Sequence, residues 1–396
     1  MRLKIAAITV FFLFMLLCFS PAGEYNHPMS GKVSSPALSG PSLLNYTASP
    51  INVSVGSLPF FMAVDPENGE VYVLNTNSSN VSVIAVNKTV VDTIPVPKYP
   101  NEIIYDPYNH CMYITNGSPL LTVINTTTQS VSYIRTGLVG TENMVYDSRN
   151  NDIYAFNPSR GISVISPSGL VIKNLTYYTS FYIDSPTVYD PYDNSVYFLG
   201  DSEYSTGVAS LNLSSMNTSY VNISPNMHGN SYGIVFDPSN GCVYVITLAH
   251  NLGNTMFNLT VIDPSTNAVT QYYIPGLLPY SIAYDSRNQD IVVDASPYSY
   301  SGLLFYFLNA KNNLSFTVHA PLVNFVGPFV YNPLDNSLYA SGTYNNQVTV
   351  FPLSPPGAGS NEGMFLVYGV ISVAVGTASI LTWAWIRMKR KGGKLQ

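Results

Sequence analysis

One short motif recurs seven times along the chain, and it limits the fold to architectures assembled from stacked repeats. It reads as an apolar run, an aromatic or apolar residue, Asp-Pro, a polar turn with Asn or Gly, then an alternating apolar strand with Tyr. The copies are AVDPENGEVYV, IYDPYNHCMYI, VYDSRNNDIYA, VYDPYDNSVYF, VFDPSNGCVYV, AYDSRNQDIVV and VYNPLDNSLYA. Their anchors are Asp65, Asp106, Asp147, Asp190, Asp237, Asp285 and Asn332, at spacings of 41, 41, 43, 47, 48 and 47. Seven residues after the anchor stand Tyr72, Tyr113, Tyr154, Tyr197, Tyr244, Val292 and Tyr339.

Each unit reads as four short strands. Strand A precedes the anchor (Met62-Ala63-Val64 in the first unit), and the anchor turn is a hairpin. Asp bonds backbone N–H groups ahead of it, Pro presets φ, and Asn or Gly accepts a left-handed residue. Strand B alternates, Val71 and Val73 against Tyr72. Strand C is Val81–Ile84, Leu121–Ile124, Ile162–Ile165, Leu259–Ile262 or Val348–Phe351. A polar turn such as Asp263-Pro264-Ser265-Thr266-Asn267 leads to strand D. Four strands in about 40–45 residues make a propeller blade. The expected fold is therefore all-β, a seven-bladed β-propeller of four-stranded blades. The seventh unit runs into Pro355-Pro356-Gly357 without a strand D, while Ile51–Gly56 is a lone strand before the first unit. This N-terminal strand is expected to close the last blade and remove an exposed edge.

The units resemble the YVTN-type β-propeller repeats, whose pattern includes D-P-x-x-x-x-(apolar)-Y-V-x-N and V-x-V-I-D-x-x-T. The likeness covers residues 51–353 and is clearest at DPENGEVYVLN with SNVSVIAVNKTVVDTI, and at FDPSNGCVYVIT with LTVIDPSTNAVTQYYI. Ser148 and Ser286 depart from it in place of Pro, as does Val292 in place of Tyr. Such propellers occur on archaeal and bacterial cell surfaces and in a few enzymes, so the resemblance implies a fold and an archaeal surface setting more than an activity.

The two ends set the expected address. Residues 1–23 carry Arg2 and Lys4, an apolar run from Ile5 to Phe19, then Ser20-Pro21-Ala22-Gly23. This is the pattern of a cleaved signal peptide, with an uncleaved anchor as the alternative. Cys18 invites a lipoprotein reading, but Leu17 stands where a small residue is wanted. Residues 24–45 and 354–363 read as linkers around a propeller at 46–353. Residues 364–386 are apolar and uncharged, long enough for a transmembrane helix. Trp383 and Trp385 sit at the far end, followed by Arg387, Lys389, Arg390 and Lys391 in a basic tail at 387–396. That end is expected in the cytoplasm and the propeller outside.

Charge narrows the partners. Apart from seven basic residues in the leader and tail, nine Lys and Arg face 22 Asp and Glu, a balance near −13. Nucleic acid is not an expected partner; the membrane, envelope proteins and glycans are. Asn-x-Ser/Thr sites stand at Asn45, Asn52, Asn77, Asn80, Asn87, Asn125, Asn174, Asn212, Asn217, Asn222, Asn258 and Asn313. Asn116 is the weakest match, because Pro119 follows its Ser118.

Catalytic signals are sparse. His27, His110, His228, His250 and His319 are scattered, without metal-ligand spacing. No G-x-S-x-G or P-loop occurs. The acidic anchor turns resemble calcium loops singly, but their recurrence assigns them to turn chemistry. No metal and no cofactor is expected. The candidate ligand site is the channel mouth, where strand A begins. Asn101, Glu102, Glu142, Asn143 and Asp184 form an acidic side there, opposite Phe60, Phe61, Tyr280 and Pro328. This pattern suits a small cation, amine or sugar. The expected function is a membrane-anchored extracellular binding module. The alternatives are a structural S-layer-like envelope subunit, or an enzyme of lactonase-like or oxidoreductase type using the channel mouth. Cys111 and Cys242 occupy equivalent strand-B positions on distant units and are expected to be free, buried thiols.

Overall fold

A computed structural model describes residues 50–353, apart from 139, 158–160, 177–185, 203–204, 225–230, 252–253, 267, 275–276, 298–302, 310–313 and 321–327. Its strands form seven four-stranded antiparallel sheets. Blade 1 comprises β2 (Pro59–Val64), β3 (Val71–Asn75), β4 (Asn80–Ile84) and β5 (Val90–Pro95). The same order gives blade 2 from β6 (Glu102–Asp106) to β9 (Val131–Arg135) and blade 3 from β10 (Asn143–Asp147) to β13 (Val171–Thr176). Blade 4 runs from β14 (Thr187–Asp190) to β17 (Thr218–Ser224), blade 5 from β18 (Ser231–Asp237) to β21 (Ala268–Ile274), and blade 6 from β22 (Leu277–Asp285) to β25 (Leu314–Ala320). The inner strands β2, β6, β10, β14, β18, β22 and β26 (Phe329–Asn332) touch in that order, and β26 touches β2 again. The ring of seven blades is closed.

Closure uses the N-terminal strand, as the sequence leads one to expect. Blade 7 is β26, β27 (Ser337–Gly342), β28 (Gln347–Pro352) and then β1 (Ile51–Ser54). β1 pairs along β28 from Ile51↔Val350 to Ser54↔Gln347. The chain then crosses to blade 1 through Gly56. A Cβ there would lie 2.5 Å from Ser78 Oγ and 2.6 Å from Asn80 Oδ1, so only glycine passes without displacing them.

The hydrophobic core is divided among the seams between blades. Seven buried clusters each join residues of two adjacent blades. Strand B shows why. Its alternation does not separate a wet face from a dry one, because every residue of β3 is buried. Val71 and Val73 pack against Tyr339, Val348 and Val350 of blade 7. Tyr72 and Leu74 pack against Ile103, Met112 and Ile114 of blade 2. Opposite sides of one strand thus feed two different cores.

Strands A and C leave the ring's two faces to different connections. Anchor turns and C–D turns lie on one face, here called the turn face. B–C hairpins and D–A connections lie on the other, the mouth face. Among the described residues no helix is long and apolar enough to cross a membrane. The expected leader, both linkers, the apolar segment at 364–386 and the basic tail lie outside the described residues, as do Asn45 and Asn313.

Candidate functional site

The anchor turns are built alike seven times. Each anchor is buried, and its Oδ1 accepts the backbone N–H two residues ahead. The bonds reach Glu67, Tyr108, Arg149, Tyr192, Ser239, Arg287 and Leu334 at 2.8–3.1 Å. Four residues after the anchor the backbone turns left-handed, at Gly69, His110, Asn151, Asn194, Gly241, Gln289 and Asn336. Gly and Asn tolerate that conformation, while His110 and Gln289 adopt it against their steric preference.

A second bond joins neighbouring blades. The tyrosine before one anchor reaches the anchor of the preceding blade: Tyr189 Oη lies 2.5 Å from Asp147 Oδ1. Tyr105, Tyr284 and Tyr331 lie within electrostatic reach of Asp65, Asp237 and Asp285, while Tyr331 Oη donates to Asn336 Oδ1 at 2.8 Å. Two seams differ. At the 4–5 seam the residue before the anchor is Phe236, which has no hydroxyl, and burial pushes the Asp190 carboxyl up to about 6. Tyr146 turns its hydroxyl to Asn151 Oδ1 at 2.5 Å, leaving Asp106 Oδ2 buried without a hydrogen bond. The Asp106 carboxyl is also raised by burial.

On the mouth face, four of the expected site residues meet at the seam of blades 2 and 3. Asn101 Nδ2 donates to the Glu142 carbonyl at 3.4 Å, and Thr115 Oγ1 donates to the same oxygen at 3.1 Å. Glu102, at the start of β6, accepts from the Met144 backbone N–H, while its Oε2 is buried without a partner. Burial raises its carboxyl to about 8. Asn143 is buried beside them, and Glu142 is half-buried. Desolvation thus favours the protonated, donor-capable form of Glu102, which the sequence could not disclose. Phe60 and Phe61 stack edge to face at 4.7 Å on blade 1. Pro328 accepts from Ser341 Oγ at 3.2 Å in blade 7. Asp184 lies outside the described residues, and Tyr280 is described only by its backbone in β22.

The mouth face is uneven. In blade 1 the B–C hairpin ends at the pair Asn75↔Asn80. In blade 4, β15 (Ser195–Ser202) and β16 (Ser205–Asn212) continue to Ser202↔Ser205. In blade 5, β19 (Cys242–Asn251) and β20 (Asn254–Asp263) continue to Asn251↔Asn254. The longer spacings after Asp190 and Asp237 are spent here.

With this geometry in view, the chain matches no protein-family model and no curated protein. It is similar to a chain in a solved structure titled "Crystal Structure of Mitotic Checkpoint Complex". The two share 11% identity at a TM-score of 0.61, over 83% of this chain and 99% of that one. At that identity the likeness shows the fold alone, a seven-bladed β-propeller.

The clefts that reasoning from sequence missed lie on the turn face. One, of about 450 Å³, lies between blades 4 and 5 and is lined by Asp190, Tyr192, Asp193 and Asp263. Another, of about 490 Å³, lies between blades 1 and 2 beside Asp65, Glu67, Glu70 and His110. The signal was present in the repeat: the third residue after the anchor is Asn or Asp, and Asp only at Asp193 and Asp335. No group of three or more His, Cys, Asp or Glu among the described residues could hold a metal.

Sequon side chains divide by exposure. Asn52, Asn77, Asn87, Asn174 and Asn217 are exposed, while Asn80, Asn116, Asn125, Asn212 and Asn258 are half-buried. Asn212 Nδ2 already donates to the Asp193 carbonyl at 2.8 Å. Asn222 is described only by its backbone in β17. Cys111 and Cys242 are free and pair with their anchors at the same strand-B register, Asp106↔Cys111 and Asp237↔Cys242. Both are half-buried rather than buried, because the first position of strand B lies at the rim of the turn face. Desolvation raises both thiols, Cys242 to about 11.

Proposed function

We propose that this chain is a single-pass cell-surface protein whose propeller is an extracellular binding module, with the mouth face as its contact surface. The observation that carries this reading is the unevenness of that face. The turn face repeats one construction, whereas the mouth face sets extended hairpins on blades 4 and 5 apart from a seam where the desolvated Glu102 stands beside Asn101 and the Glu142 backbone. Binding residues are carried disproportionately by connections on a rigid scaffold. The leader pattern at 1–23, the apolar run at 364–386 and its basic flank support export and anchoring. Exposed sequons at Asn52, Asn87, Asn174 and Asn217 support an exterior setting, as does the resemblance to YVTN-type repeats.

Two measurements test the reading. Protease added to intact cells should remove the propeller and leave the segment bearing Lys389 inside; complete protection would overturn the topology. A glycan and small-molecule binding screen on the purified full chain should return ligands whose binding weakens on Glu102→Ala or on shortening the blade 5 hairpin. Ligands indifferent to both changes would move the contact surface elsewhere.

A further inference from the structure

The seam between blades 7 and 1 contains an ammonium group held by the protein itself. Lys88, in the C–D turn of blade 1, places Nζ against Asp335 Oδ2 and 2.9 Å from Tyr339 Oη, and lies 5.0 Å from the Tyr339 ring centroid. Tyr339 Oη in turn donates to Asp335 Oδ2 at 2.5 Å. Both charged side chains are nearly covered, at 12% and 11% exposure. Asp335 and Tyr339 stand three and seven residues after the anchor Asn332.

The same pair occurs once more. Asp193 and Tyr197 stand three and seven residues after Asp190, and Tyr197 Oη donates to Asp193 Oδ2 at 2.6 Å. In blades 2 and 5 the third residue is Asn, and Asn109 and Asn240 each donate Nδ2 to their tyrosine hydroxyl at 2.8 Å. An Asn closes that bond as a neutral pair. An Asp there brings a negative charge, which in blade 7 is met by Lys88. In blade 4 the C–D turn of the next blade, residues 263–268, reads Asp-Pro-Ser-Thr-Asn-Ala and supplies no cation. It adds Asp263 instead, whose carboxylate accepts from Ser265 and Thr266. Asp193 is exposed, unlike its counterpart, and lines the cleft with Asp190, Asp263 and Tyr192. Tyr192 holds its ring as an aromatic wall through a 2.8 Å bond to the Pro238 carbonyl.

We propose that the cleft between blades 4 and 5 binds a primary alkylammonium group, taken up as blade 7 takes up Lys88. The ammonium donates to Asp193 and approaches Tyr197, while the alkyl stem lies along Tyr192. The group belongs either to a free amine or to an exposed lysine of a protein. The site is on the turn face and is independent of the mouth face.

Saturation-transfer NMR on the full chain tests it with three probes: butylammonium, acetyl-Gly-Lys-Gly-amide and the Nε-acetylated form of that peptide. Butylammonium should bind saturably with a millimolar Kd, weakened at least tenfold by Asp193→Asn. The acetylated peptide should not compete. A lysyl peptide binding tenfold tighter than butylammonium assigns the site to a protein lysine, and equal binding assigns it to free amines. Binding unchanged by Asp193→Asn, or equal binding of the acetylated peptide, overturns the proposal. Blade 7 supplies a second test. Lys88→Ala opens the equivalent pair, and butylammonium should raise the melting temperature of that variant more than that of the wild type, with butanol as the neutral control. No selective rescue would show that the Asp–Tyr pair is not an ammonium site, and the proposal would fall with it.

Discussion

The turn face and the mouth face of the ring differ in how strictly they repeat. On the turn face, seven buried anchors make the same bond to the N–H two residues on, and the backbone turns left-handed at the same offset each time. On the mouth face, B–C hairpins end at different distances from the seam cores, and one seam alone gathers Asn101, Glu102 and the Glu142 carbonyl. The difference follows from what each face must satisfy. A tight turn with a buried anchor has few solutions, because an unpaired buried carboxylate or N–H costs about 1–3 kcal/mol. A hairpin projecting beyond the core has many.

The contrast can be broken first at the closing blade. Removing residues 50–56 strips blade 7 of β1 and with it Val53, which is buried in the core of the 7–1 seam. Because that core is shared with blade 1, thermal unfolding should shift down by well over 10 °C, or the chain should fail to fold cooperatively. An unchanged Tm would mean that another segment closes the ring.

A smaller effect is expected on the turn face. Asp147→Ala loses the bonds to Arg149 N–H and Tyr189 Oη at a buried site and should cost about 2–4 kcal/mol. Tyr189→Phe keeps the turn bond, removes the hydroxyl's contacts with Asp147 and with Asn194 Oδ1, and should cost about 1 kcal/mol. If the two variants unfold at the same denaturant concentration, the turn bond contributes nothing and the construction of this face has been misread.

The mouth face carries a pH-dependent effect. The folded Glu102 carboxyl holds its proton up to about 8, above its ordinary value. The folded state therefore binds this proton more tightly than the unfolded chain. The associated stability is present below about pH 4.5, is lost as pH rises from there to about 8, and levels off above it. Glu102→Gln, a permanent neutral mimic, should match the wild type at pH 4 and exceed it by about 3–5 kcal/mol at pH 9. Parallel stability curves for the two proteins would place an ionised carboxylate at that seam.

The smallest effect is expected at the hairpin tips. Replacing residues 250–255 with Asn-Gly shortens β19 and β20 while keeping the buried pair Ile246↔Leu259. Stability should change by less than about 1 kcal/mol, because the buried pair Ile246↔Leu259 and the seam core packed around it stay in place. A loss as large as that of Asp147→Ala would erase the distinction between the faces.

The local rules were legible in the sequence because they act over a few residues. The number of blades, each anchor turn, the strand C runs and the closing role of Ile51–Ser54 all follow from offsets within about ten residues or from the missing seventh strand D. Half of the candidate site was readable in the same way. Asn101, Glu102, Glu142 and Asn143 share one phase of the repeat, and the structure brings them to one seam.

Tertiary structure decided what happens between blades. Only closure of the ring sets Lys88 against Asp335, 247 residues away, and Asn332 Nδ2 against the Gly69 carbonyl. Only packing shows that burial raises the Asp190 carboxyl and that Glu102 is desolvated where it accepts from the Met144 N–H. The physical reason is the same in each case. A turn's hydrogen bonds connect near neighbours and are written in their spacing, whereas the charge state of a seam residue depends on desolvation by a blade some 40 residues distant in the chain.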